Sequence, residues 1–311
     1  MSINLSKIKT YSIKKRKNKV ATNLFAKTQS KGQKFKDFYN SLPDILKAKD
    51  LKVCVDSIVK ARKRNKPVVF LLGAHVIKCG LNPLIIQLIN KKVITAVALN
   101  GAGMIHDFEV ASNGATSEDV LSGLIDGSFG MVKETANFLN RSTSLAAENN
   151  EGLGFTVGRR IGSANFKFKK LSILYNCYLK NIPVTVHVAI GTDIIHQHPN
   201  FSGEDAGKAS QEDFHILAKA LTRIGNGGVV VNIGSAVVLP EVFLKALTIT
   251  RNLGYKTFNF TSINFDMLHQ YRPQQNIVCR PTQPKGKGFY ITGHHEIMVP
   301  LLVAGILEQL S

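Results

Sequence analysis

Two glycine-bearing turns in this chain each follow an apolar run. Gly73-Ala74-His75-Val76-Ile77-Lys78-Cys79-Gly80 comes after Val68–Leu72, and Asn100-Gly101-Ala102-Gly103 comes after residues 94–99. Glycine reaches left-handed dihedrals and lets backbone N–H groups approach an anion closely, so such turns at strand ends suit the phosphates of a nucleotide. Gly234-Ser235-Ala236 and Thr261-Ser262 follow two further expected strands, residues 229–233 and 256–260. Gly101 and Gly103 give only G-x-G, and no stretch fits the G-x-G-x-x-G fingerprint of an ordinary dinucleotide dehydrogenase.

All nine histidines lie beyond residue 74, and most of them stand where apolar runs end: His75, His106, His187, His196, His198, His269, His294 and His295. Strand ends in an open α/β sheet converge on one rim, so these imidazoles are candidates for acid, base or ligand contacts in a shared pocket. Neither His196-Gln197-His198 nor His294-His295-Glu296 has a recognised metal-ligand spacing, and no metal is expected. Asp107, Asp193 and Asp266 also follow apolar runs. A carboxylate there binds a ribose hydroxyl or a substrate ammonium, or caps a helix. Glu204-Asp205 and Glu212-Asp213 flank Lys208 in what reads as a solvated acidic loop, and no G-x-S-x-G elbow is present.

The elements that must hold these groups alternate. Helical spacings cover residues 35–65, interrupted once, and Pro67 introduces the strand at Val68. Further helices are expected over residues 81–89, 117–125 (capped by Thr116), 171–179, 214–224, 239–253 and 299–310. Strands are expected over 94–99, 184–190, 229–233 and 256–260. Residues 140–166, rich in Asn, Ser, Gly and Glu, read as an excursion outside the core. Strands and helices alternating in this way make an α/β fold, a parallel sheet with helices on both faces. One domain is expected over residues 36–311, behind a basic arm of residues 1–35.

The net charge of +19 is local. Residues 1–66 carry 19 of the 40 Lys and Arg but four of the 21 acids, leaving a net of +4 on the remaining chain. Few aromatics are interleaved with these lysines, and no nucleic-acid motif accompanies them, so no specific nucleic-acid partner is expected. The apolar runs are shorter than the roughly 20 residues that span a bilayer, and no apolar signal segment follows the N-terminal lysines. A cytoplasmic protein is expected, with Cys54, Cys79, Cys177 and Cys279 reduced and structural.

Taken in order, these pieces resemble deoxyhypusine synthase over residues 65–310. Residues 70–80 look like that family's first strand and nucleotide turn. Asn100-Gly101-Ala102-Gly103-Met104-Ile105-His106-Asp107 looks like its Thr-Ala-Gly-Gly turn with trailing acids. Lys180-Asn181-Ile182-Pro183-Val184, Gly234-Ser235-Ala236-Val237-Val238, Asn259-Phe260-Thr261-Ser262 with Phe265-Asp266, and Pro300-Leu301-Leu302-Val303-Ala304 continue the match. The resemblance implies a Rossmann-like fold that binds NAD through Gly73, Ala74, His75 and Lys78, through Asn100, Gly101, Ala102 and Gly103, and through Gly234, Ser235 and Ala236. Thr261, Ser262 and His295 complete that implied set. It also implies a homotetramer with sites at subunit interfaces.

That family takes an aminobutyl group from spermidine by NAD-dependent oxidation, holds it as an imine on a lysine, and passes it to a protein lysine. An imine needs an unprotonated amine, hence a desolvated lysine. Here the tryptophan that precedes the family's lysine is missing, since the chain has none, and Lys285 or Lys287 stands in that region. Ala74 and His75 replace the family's serine and asparagine in the first turn. The resemblance therefore implies an NAD-dependent transferase acting on a polyamine or another amine rather than authentic deoxyhypusine formation. Its catalytic candidates are His106, His196, His294, Asp266 and Lys287. The alternatives are a true deoxyhypusine or homospermidine synthase with a relocated lysine, and a non-catalytic nucleotide-binding scaffold.

Overall fold

Five consecutive apolar residues, Val68–Leu72, form strand β1 and are buried without exception, as a central strand covered on both faces must be. The computed structural model describes residues 3–310. Five more strands complete the sheet: β2 (Ala96–Asn100), β3 (Val184–His187), β4 (Val229–Ile233), β5 (Thr261–Asp266) and β6 (Lys287–Thr292). All pair in parallel, in the order β3-β2-β1-β4-β5-β6. The chain builds outward from β1 to β3, returns to pair β4 against β1, and builds outward again. The order of strands thus reverses between β1 and β4, which opens a crevice beyond their carboxyl ends.

Two compact units divide the chain at Asp50. The first holds three single 3-10 turns, Leu5–Lys7, Ile13–Lys15 and Thr22–Leu24, and helix α1 (Phe35–Ser41); its lysines are exposed. Helix α2 (Leu46–Lys63) carries Cys54, Val55, Ile58 and Val59 into the core of the second unit. The remaining helices there are α3 (Ala74–Lys78), α4 (Asn82–Asn90), α5 (Gly101–Asn113), α6 (Val120–Asp126), α7 (Lys133–Asn149) and α8 (Leu153–Ser163). They continue with α9 (Ile173–Leu179), α10 (Gly203–Leu221), α11 (Val238–Asn252), α12 (Tyr271–Pro273, running into a wide turn to Cys279) and α13 (His295–Leu310). Leu217 and Leu221 of α10 and Phe243 and Leu247 of α11 pack with Val69, Leu71 and Val230 on one face of the sheet. Alternate residues such as Phe70 and Leu72 point to the other face, where α5 and α13 meet the strands. No helix among the described residues is long and apolar enough to cross a membrane.

Several expectations are corrected. Residues 140–166 are no excursion: they supply most of α7 and all of α8, which bury Leu139, Asn140, Ser142 and Thr143, then Gly154, Val157 and Gly158. Small residues do the packing here. A Cβ on Gly154 would overlap the Val184 carbonyl, so α8 lies directly on β3. The acidic loop is the first half of α10, and Asp213 within it is fully buried. Asp119, not Thr116, caps α6. The strand expected over 256–260 begins five residues later, at Thr261. β6 is a strand beyond those expected, and it starts inside Lys285-Gly286-Lys287-Gly288.

Candidate active site

The β1 and β4 ends approach each other through glycine. Gly73 donates its N–H to the Ile233 carbonyl at 2.8 Å, and Gly234 donates to Phe265 at 3.0 Å. A Cβ on Gly73 would overlap the Gly234 carbonyl, so no larger residue allows this approach. Gly234 itself takes φ +68, and a Cβ there would stand 2.7 Å from His295 Nε2. The buried amide of Asn232 holds the turn by donating to the Ser235 carbonyl at 2.9 Å and to Asn264 Oδ1 at 2.6 Å. Ser235 Oγ accepts the Leu239 N–H at 3.2 Å at the start of α11. His75 and His295 meet edge to face, with centroids 5.6 Å apart. Burial lowers the His295 pKa against the opposing pull of Asp266, so a neutral imidazole lies under Gly234, its Nδ1 without a hydrogen-bond partner. Asp266 and His294 stand at the same rim, at the end of β5 and just ahead of α13.

A second group of polar residues gathers beyond β2 and β3. Asn100 ends β2 and caps α5 by accepting the Gly103 N–H at 2.9 Å, so the turn expected over 100–103 is the first turn of the helix. The Asp193 carboxylate packs against Gly101 so closely that a Cβ there would overlap it. Burial raises Asp193 to about 6, with the nearby His106 charge pulling the other way. Its Oδ2 has no hydrogen-bond partner and lies 3.8 Å from His196 Nε2. His196 Nδ1 accepts the N–H groups of Gly191 (3.0 Å) and Asp193 (3.2 Å). Its proton therefore resides on Nε2, facing the carboxylate, and burial keeps the ring neutral.

His106 Nδ1 pairs with Thr116 Oγ1 at 2.6 Å and stands 3.7 Å from Glu109 Oε2. Burial opposes ionisation of Glu109, but His106 and the hydroxyls of Thr116 and Thr135 outweigh it and hold the carboxyl below its ordinary range. Glu118 accepts the Gly130 N–H at 2.8 Å through Oε2, and its Oε1 is buried without a partner. Asp193, Glu109, Glu118, His106 and Lys78 line one cavity of about 210 Å³ whose apolar walls include Ile105, Val120 and Phe129.

The strand directions bring most of the expected residues to this rim and exclude three. Thr261 and Ser262 open β5, and Lys287 opens β6, in register with Thr261. At about 3.3 Å per residue, Lys287 lies roughly 16 Å of strand away from the rim, at the opposite edge of the sheet. His187 is buried and pushed down to about 3 by burial, with Nε2 on Thr185 Oγ1 at 2.9 Å; its role is structural. Asp107 is a helix cap, accepting the N–H groups of Ile173 and Leu174 and the Ser172 hydroxyl ahead of α9. Burial and Glu296 together raise the Cys79 thiol, which keeps it protonated. No group of three or more metal-ligating side chains occurs among the described residues. Glu109 and Glu118 carried no sequence signal of their own; they follow Gly103 at helical and loop positions where acids are usually solvated.

The crevice suits a dinucleotide: two glycines leave no side chain between the β1 and β4 ends, and Asp266 offers a carboxylate beside them. No family model and no curated protein matches the sequence. Among solved structures, the chain is similar to a protein from Entamoeba histolytica described as a deoxyhypusine synthase, with TM-score 0.54, 11% identity, and 89% of this chain and 94% of that chain covered. It is similar to a conserved protein from Methanococcus maripaludis S2 described as LOR/SDH, with TM-score 0.51, 14% identity, and 86% and 71% covered. A ternary complex of AgrE with ornithine and NAD+ matches at TM-score 0.51 and 15% identity, over 84% of this chain. The chain spans 33% of that AgrE chain's length. At these identities the likeness is one of architecture: the chain has the α/β fold, built on a six-stranded parallel sheet, of the deoxyhypusine synthase, LOR/SDH and AgrE structures.

Proposed function

We propose that the chain is an NAD-dependent enzyme acting on an amine. The dinucleotide would lie in the crevice between β1 and β4, and the ammonium group in the cavity beyond β2 and β3. The observation that carries this reading is that two carboxylates, Asp193 and Glu118, line the same 210 Å³ cavity and each keeps one buried oxygen, Oδ2 and Oε1, without a hydrogen-bond partner. An unpartnered buried oxygen forfeits about 1–3 kcal/mol of hydration, and an ammonium group restores it. The AgrE protein, one third of whose chain shares this architecture, forms a ternary complex with ornithine and NAD+, a precedent for pairing a dinucleotide with an amine.

Gly73 and Gly234 admit the dinucleotide's backbone, Ser235 and Asp266 offer polar contacts to it, and His75 and His295 wall it. When bound, it supplies a hydride acceptor. The chain's own part is to hold the amine and take its proton. Asp193 is ionised at neutral pH but has a raised pKa, which makes it a stronger base than an ordinary carboxylate. His196 Nε2–H faces the same oxygen and steadies its charge. Lys287 takes no part. A second reading, group transfer through an imine on a relocated lysine, draws support from Lys78, which lines the cavity.

Mass spectrometry of small molecules released by acid, with titration calorimetry against NAD, tests the cofactor. Co-purified NAD or micromolar binding supports the reading; absence of both overturns it. Borohydride trapping with spermidine and NAD separates the two chemistries: an adduct on Lys78 selects group transfer, and turnover without an adduct selects direct oxidation.

A further inference from the structure

A larger cavity, of about 960 Å³, lies along the far half of α5 against α7 and α8. Phe108, Phe138 and Phe166 form its aromatic wall, with Phe108 and Phe138 stacked at 4.5 Å and Phe166 closing the cluster 5.6 Å from Phe138. The Arg160 guanidinium lies 4.3 Å over the Phe138 ring. It is held there by two bonds from Nη1, to the Phe138 carbonyl at 2.7 Å and to Ser142 Oγ at 2.6 Å. Among the described residues no carboxylate pairs with it and no protein group accepts from its Nε or Nη2.

The neighbouring charge is also positive. Burial and Arg141 both depress the Arg160 pKa, so two guanidinium groups face the same cavity, and the half-buried one has no counter-ion. The acids that share this lining are engaged or exposed. Glu109 is taken by the Thr116 and Thr135 hydroxyls, one oxygen of Glu118 is taken by Gly130, and Glu134 is on the surface. A planar cation fixed over an aromatic ring, with donors left free, is built to receive an anionic oxygen group in a bidentate fork. The aromatic wall beside it then accepts an apolar or flat body.

We propose that this cavity is a second binding site, separate from the dinucleotide crevice, for an organic anion: a carboxylate or phosphate borne on an aromatic or apolar body. Arg160 anchors the anionic group, Arg141 reinforces it, and the three phenylalanines pack the body. Glu109 and Glu118 line both this cavity and the 210 Å³ one, so the two sites share a wall.

Calorimetry or ligand-observed NMR on the full chain with benzoate, phenyl phosphate and benzylammonium tests the site. Benzoate or phenyl phosphate is expected to bind and benzylammonium is not; the tighter of the two anions identifies the source as carboxylate or phosphate. Arg160→Met is expected to weaken that binding about tenfold or more. Because Arg160 also bonds to the Phe138 carbonyl and Ser142, two variants that leave those contacts intact accompany it. Arg141→Gln, at an exposed position, is expected to weaken binding several-fold, and Ala115→Trp, on the exposed rim of the cavity, to block it. Failure of both anions to bind, equal binding of benzylammonium, or anion binding untouched by both accompanying variants would overturn the proposal.

Discussion

The Asp193 carboxylate occupies the space that a side chain at Gly101 would fill. Gly101 is the first residue of α5, and alanine is the better helix former wherever its Cβ has room. The carboxylate reverses that preference. Gly101→Ala is expected to destabilise the chain by about 1–3 kcal/mol through overpacking. In an Asp193→Ala background the same change should become neutral or favourable. Gly203, the first residue of α10, has nothing within 4 Å of an added Cβ, so Gly203→Ala should cost nothing. Urea unfolding of the four variants decides it: an equal cost for Gly101→Ala with and without Asp193 removes the proposed cause.

Asn232 links the sheet to the crevice. Its amide donates to Asn264 on the neighbouring strand and to the Ser235 carbonyl in the turn that carries Gly234, and all three residues other than Gly234 are buried. Asn232→Ala leaves two buried acceptors unmet and should cost about 2 kcal/mol. It should also loosen the Gly234–Ser235 turn. Weaker NAD binding beyond the stability loss, measured well below the unfolding midpoint, is the expected sign of that second effect.

Burial raises the Asp213 carboxyl to about 8, against the N–H groups of Val186, Gly154 and Leu153 that favour its ionised form. Its folded pKa lies above the unfolded value, so its contribution to stability is complete below about pH 4 and is lost as pH rises toward 8. His187 works in the opposite sense: its folded pKa is lowered to about 3, and stability falls as pH drops below about 6.5. The melting temperature should therefore peak at weakly acidic pH. Asp213→Asn, whose amide oxygen can keep the backbone bonds, should flatten the alkaline side; an alkaline side of unchanged slope would assign the loss to other groups.

Sequence pattern exposed the parts of this fold that apolar runs define and missed those that polar or small residues build. Val68–Leu72 is an unbroken apolar strand and Val229–Ile233 is interrupted only by Asn232, and both match the expected strands to the residue. Thr261–Asp266 is equally buried but interleaves Thr261, Ser262 and Asn264. These polar groups are sheltered by partners across the sheet, such as Asn232, that no local window contains. A strand read from local pattern therefore falls too early, and Thr261 and Ser262 stand at the start of β5, not at its rim end. Lys287 is misplaced for a related reason: β6 opens with Lys287 and Gly288, residue types depleted in strands. The helices α7 and α8 pack through Ser, Thr, Ala and Gly, a composition shared with loops. In the candidate site, Gly73 and Gly234 directly follow β1 and β4, whereas His106 lies inside α5 and His196 in the turn well past β3. The partnership of Asp193 with Gly101 is not legible in the sequence, because it joins two segments that meet only when β2 and β3 pair.

The raised pKa of Asp193 gives the proposed amine site a pH signature. Near pH 5 the carboxyl, pushed up to about 6 by burial, is mostly protonated, and a neutral acid offers an ammonium group little. As pH rises through 6 the group ionises, while an aliphatic amine stays protonated until about 10. Binding of butane-1,4-diamine, followed by calorimetry in the presence of NAD, should therefore tighten about tenfold between pH 5 and pH 7. Burial also lowers the His196 pKa, so the variants at Asp193, not the wild-type profile alone, assign the step. Asp193→Asn keeps the shape, removes the charge, and should leave weak binding with no step at pH 6. Glu118→Gln should weaken binding but preserve the step, because the titrating group remains. If the step survives in Asp193→Asn, another group governs the cavity, and His106, the neighbour whose charge already acts on Asp193, is the residue to substitute next.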